Sequence, residues 1–147
     1  MKYDMDIFSG TASFSVSIDA SSNKQTYNGL FKVKCILSPL EYINSDSLYR
    51  ELLGKTNPQM ASEYVSNLCY ALSQLKYRMI ESPTWFKTDS VSLDGSDIDD
   101  KILMHILDLA VGAENEYRTK IEEKYSVAKE EVKKAVENDD FNDIDDD

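Results

Sequence analysis

The chain reads as α+β, mainly α: an N-terminal β-hairpin, then a bundle of about three helices, the last one long and projecting, with an acidic disordered tail. Three observations predict this. Ala12-Ser-Phe-Ser-Val-Ser-Ile18 alternates apolar and polar residues strictly, the two-residue period of a half-buried strand. From Leu40 to Met79 the apolar residues recur instead at three- and four-residue spacing, the period of a helix face. Beyond Gly112 that face thins to one seam between Glu and Lys residues. The expected domains are a flexible lead-in at 1–10, a globular domain at 11–112, a projecting amphipathic helix at 113–136 and the acidic tail at 137–147.

In chain order, Phe14, Val16 and Ile18 form the inner face of the first strand, and Asp19-Ala-Ser-Ser-Asn-Lys24 supplies turn residues. A second strand spans about Thr26 to Leu37, with Phe31, Val33, Cys35 and Leu37 inward; Asn28-Gly29 invites a bulge or tight turn. Ser38-Pro39-Leu40-Glu41 then has the form of a capping box with proline at the first helical position. The first helix carries Leu40, Ile43, Leu48, Leu52 and Leu53, and Gly54 supplies a left-handed stop. Asn57-Pro58 opens the second helix, roughly 58–81, along Met60, Tyr64, Leu68, Leu72, Leu75 and Met79. Its length and apolarity make it the most buried helix of the fold. Pro83 ends it, and residues 82–95 form a loop.

The third helix begins at Ser96-Asp97-Ile98-Asp99, with acids where the helix dipole favours them. Ile98, Ile102, Leu103, Ile106, Leu107, Leu109 and Ala110 give it a wide apolar face. Ala113, Tyr117, Ile121, Tyr125, Ala128, Val132 and Ala135 continue it as a narrow seam. A helix over the whole stretch exceeds one small domain in length. Either it breaks near Gly112, or its second half projects and packs on a partner.

Charge narrows the function classes. The chain carries a net −11, but seven of its carboxylates lie in Glu137–Asp147, which has no Lys or Arg. Without that segment the body is only −4. An acidic body opposes a phosphate-backbone binder, so no nucleic-acid partner is expected. The tail fits a solvated docking or solubilising arm. Met1-Lys-Tyr-Asp-Met-Asp6 places acids where an export signal builds an apolar stretch, and no run of apolar residues is long enough for a membrane span. The expectation is therefore a cytoplasm, no membrane, and two reduced cysteines, Cys35 and Cys69, acting as small core residues.

No catalytic apparatus stands out. His105 is the only histidine and has no nucleophile motif beside it. With Gly95 as the sixth residue of an EF-hand loop, the twelfth is Lys101 where Glu is needed, so that motif fails. Phosphate-loop, dinucleotide and zinc spacings are absent from the sequence. The expectation is a non-enzymatic chain with no cofactor, no metal and no catalytic residues. Trp85 and Phe86 plug the core or form an exposed anchor. They join Tyr117, Ile121, Tyr125 and Val132 as candidate partner-binding residues, and the Glu114-Asn-Glu-Tyr-Arg118 segment is itself a partner-surface candidate or a solvated helical face.

Gly29-Leu-Phe-Lys-Val-Lys34, Leu37-Ser-Pro-Leu-Glu-Tyr42, Leu48-Tyr-Arg-Glu-Leu-Leu-Gly54, Ala71-Leu-Ser-Gln-Leu75, the Pro83-Thr-Trp85 step and Glu116-Tyr-Arg118 follow one another in an order that resembles the tail assembly chaperones of tailed bacteriophages. The resemblance covers about residues 27–120. It implies a non-enzymatic protein that binds the long helical tape-measure protein, the tail-tube protein, or both, and keeps its client soluble while the tube polymerises. It also implies a longer frameshifted product in many members. A homo-oligomer is compatible with that role. The hairpin before Tyr27 and the acidic tail lie outside the resemblance. They keep open another phage virion protein, or an acidic nucleic-acid mimic that inhibits a host defence enzyme.

Overall fold

The computed structural model describes residues 2–21, 24–55, 62–86 and 99–145, with side chains to 137. Four strands form one antiparallel sheet in the order β1-β2-β3-β4: β1 (Asp4–Asp6), β2 (Thr11–Asp19), β3 (Thr26–Lys34) and β4 (Met79–Glu81). Three helices complete the chain: α1 (Pro39–Gly54), α2 (Glu63–Arg78) and α3 (Asp100–Asp145). The α+β, mainly helical class predicted from the sequence is the class observed.

The predicted hairpin is the centre of the sheet. Phe14 pairs with Phe31 and Ala12 with Val33, so the alternating residues of β2 and β3 share one face. Phe14, Val16, Phe31 and Val33 are all buried there. Serines and lysines occupy the opposite face, which leaves a two-layer molecule with helices on one side. Phe31 is the hub: its ring stacks on Phe14 at 5.6 Å and meets Trp85 and Phe86 edge-on at 5.7 and 5.3 Å.

Two further strands extend the hairpin. The lead-in holds β1, which pairs with β2, and buries Tyr3 beside α3. The three residues Asp4-Met5-Asp6, one apolar residue between two carboxylates, are too short a pattern to read as a strand. Residues 79–81, assigned from the sequence to the end of the second helix, form β4 against β3. Met79 keeps the inward position that its helical spacing suggested, but at a strand register. Gly29 makes no bulge; β3 runs straight through it opposite Val16. A Cβ there would lie 2.4 Å from Pro83 Cγ, so glycine is what lets the 82–86 segment lie against the sheet.

The capping box of α1 is present: Glu41 N–H donates to Ser38 Oγ and the Ser38 N–H to Glu41 Oε1. Its apolar stripe differs from the expected one. Leu48 is buried, but Leu40 and Ile43 are each 65% exposed, and Ser45 takes the inner position. Gly54 is not left-handed; Lys55 caps the helix in a right-handed conformation, donating to Leu52 O. The Asn57-Pro58 helix start lies outside the described residues, and the observed cap of α2 is Ser62, which accepts from Val65 N–H. Asp99 caps α3 by accepting from the N–H groups of Lys101 and Ile102. The Ser96–Ile98 start lies outside the described residues.

α3 does not break at Gly112. It is one helix of 46 residues, about 69 Å long. Ile102, Leu103, Ile106, Leu107, Leu109, Ala110 and Ala113 are buried against the body, and residues 122–137 are exposed. A Cβ on Gly112 would lie 2.5 Å from Tyr3 Oη, whose hydroxyl donates to Leu109 O. That glycine serves close packing. The tail at 137–147, expected to be disordered, instead continues α3 as helix to Asp145; its side chains from 138 onward lie outside the described residues.

Candidate functional site

Two features stand out where the helices meet and part: a buried polar network and an exposed seam. The network centres on Arg78 at the end of α2, which is 4% exposed. Its Nε donates to Gln74 Oε1 at 3.0 Å, Nη1 to Cys35 O at 3.0 Å, and Nη2 to Glu114 Oε1 at 2.8 Å. Gln74 Nε2 donates to Ser45 Oγ at 2.9 Å. Tyr42 Oη donates to the same Glu114 oxygen at 3.2 Å, and Arg118 Nε lies 3.5 Å from Glu114 Oε2. One cluster thus joins α1, α2, α3 and the chain leaving β3.

Burial alone would raise the Glu114 carboxyl, but the hydrogen bond and charge of Arg78, then Arg118 and the Tyr42 hydroxyl, outweigh it and hold the group below its ordinary value. Among the described residues no buried side-chain nitrogen or oxygen lacks a hydrogen-bond partner. Such a saturated network fixes how the helices dock. The sequence reads the Glu114–Arg118 segment as a candidate partner surface; Glu114 instead faces inward to Arg78. Arg78 and Gln74 were not read as polar core residues. The available signal was their one-turn spacing next to Leu75 and Met79 of the apolar stripe.

The seam lies on α3. Tyr117 is half-buried over Gly10, at the edge of the core. Ile121 is 38% exposed, Tyr125 67% and Val132 62%. Ile7, from the turn between β1 and β2, borders a shallow groove with Ile121, Lys124, Tyr125 and Ala128. Three of the six candidate partner residues therefore share one open face. Trp85 and Phe86 do not belong to it. Phe86 is fully buried, and Trp85 leans on Tyr27 while its indole N–H donates to Asn28 O at 2.8 Å. The pair is the core plug of the two readings given for it.

His105 is half-buried in a cleft with Ser21, Tyr64, Asp100 and Asp108. Tyr64 and Ser21 both donate to acidic side chains at the start of α3. No group of three or more His, Cys, Asp or Glu residues is placed to hold a metal ion among the described residues. Both cysteines are free and buried; burial pushes the Cys35 thiol up to about 11. No described helix is long and apolar enough to cross a membrane. No known protein family model, curated protein or solved structure matches this chain.

Proposed function

We propose that the chain is a non-enzymatic assembly protein of the tail-assembly-chaperone kind, which holds a helical segment of a tape-measure or tail-tube protein on the distal half of α3. The observation that supports this reading is the apolar row Ile121, Tyr125 and Val132, open to solvent on a helix that has left its own body. A row of this spacing is the complement of an amphipathic client helix. Mixed Glu and Lys residues on either side keep the helix itself in solution.

Co-expression with a tape-measure protein tests the reading. The tagged chain retains the tape-measure protein in the soluble fraction, and Tyr125→Asp with Val132→Asp releases it while leaving the chain folded. Tape-measure and tail-tube proteins that never co-purify with the wild-type chain overturn it. Removal of 113–136 is an unsuitable control, because it deletes the buried Ala113 and the Glu114 partner of Arg78.

A further inference from the structure

The distal seam has a charge pattern that selects its occupant. Ile121, Tyr125, Ala128, Val132 and Ala135 follow alternating four- and three-residue steps, which makes Tyr125 and Val132 heptad a positions and the other three d positions. Glu122 and Lys129 then fall at e, and Lys124 and Glu131 at g. These four flanking charges form no ion pair within the described residues.

In a parallel pair of such helices each g residue meets the e residue of the next heptad, so Lys124 would face the partner's Lys129. Both acidic ends, seven carboxylates each, would also emerge together. In an antiparallel pair centred between Ser126 and Val127, e meets e and g meets g. Glu122 then faces the partner's Lys129, and Lys124 faces the partner's Glu131. Two-fold symmetry repeats each attraction. The same register sets Tyr125 against the partner's Ala128 and Ile121 against the partner's Val132, large against small and branched against branched. The overlap, residues 118–135, is about 27 Å long. The globular bodies lie at its opposite ends. A shallow notch of Ile36, Tyr117, Arg118 and Ile121, with Ile36 37% exposed, borders the groove at the level of the partner's Ala135.

We propose that the distal half of α3 pairs with a second copy of the chain as an antiparallel coiled coil, its register set by Glu122–Lys129 and Lys124–Glu131 contacts. The inference concerns the chain alone and does not depend on the identity of a client. A client helix and the second copy would compete for one seam.

Sedimentation equilibrium of the full chain across a concentration series is the test. The expected result is a monomer–dimer equilibrium that Glu122→Lys weakens about tenfold, because two attractions become repulsions, and that Glu122→Lys with Lys129→Glu restores. Ala135→Cys forms no covalent dimer under mild oxidation, since the two substituted positions lie about 25 Å apart in this register; the native thiols are buried and do not interfere. A monomer at every concentration, an unaffected Glu122→Lys variant, a double swap that fails to restore pairing, or rapid disulfide formation by A135C overturns the proposal. A wild-type chain that binds the tape-measure protein but never dimerises would overturn this inference alone; one that dimerises but never binds it would overturn only the proposed function.

Discussion

Arg78 shows how a polar side chain comes to occupy a core. Its donors meet two backbone carbonyls at the end of β3, one amide oxygen and one carboxylate, so burying it leaves little unpaired. The hydrogen bonds are also why the pair is unforgiving. Glu114→Gln keeps the shape but removes the compensating charge, and is expected to destabilise the fold by about 2 kcal/mol at neutral pH. The folded-state value of Glu114 is lowered, so its stabilisation is present above the ordinary carboxylate value of 4.5 and is lost as pH falls through the lower folded value. The gap between wild type and Glu114→Gln in urea unfolding should therefore close as pH drops below 4.5. A gap that is constant with pH would show that the carboxylate charge is not what matters at this site.

At the scale of elements, local chemistry was legible where one short pattern decides one structure. The Ser38–Glu41 box and the alternation of β2 and β3 did so, and both appear as read. Where two patterns agree with one apolar residue, spacing misled. Met79 satisfies the helical stripe of α2 and the inward register of β4, and the free edge of β3 decides between them. Gly112 carries the same ambiguity between helix breaking and close packing. A helix gains about 1 kcal/mol from Ala in place of Gly. Here that gain meets Tyr3 Oη at 2.5 Å, while the next ring atom lies at 3.6 Å. Gly112→Ala should therefore be neutral or destabilising alone. In a Tyr3→Phe background the same change should stabilise by about 1 kcal/mol, read from thermal melts of the four proteins in the cycle. Gly112→Ala stabilising the wild type by that amount would mean Tyr3 yields freely.

For the whole molecule, the division between body and projection follows from what α3 has to pack against. The sheet and α2 cover it through Ala113, with Tyr117 at the rim, and the turn holding Gly10 ends the cover. The sequence showed the narrowing seam, and so the candidate residues Ile121, Tyr125 and Val132. It did not show where the body ends, because that depends on Glu114 reaching across to Arg78 and on Tyr3 reaching across to Leu109. Contacts between residues so far apart in sequence leave no periodic trace. The boundary makes a sharp prediction. A chain cut after Lys120 keeps the buried set of α3 and, among the described side chains, loses only exposed ones, so its monomeric unfolding free energy should fall by less than about 1 kcal/mol. A chain cut after Gly112 loses Ala113, the Glu114 partner of the buried Arg78 guanidinium, and Tyr117. An unpaired buried charge costs about 3–5 kcal/mol, much of the stability of a domain this size. Circular dichroism melts of the two truncations separate these cases: a cooperative transition after the first cut and its loss after the second place the end of the body between them, whereas equal melting of both would mean that the network contributes nothing to holding α3 on the sheet.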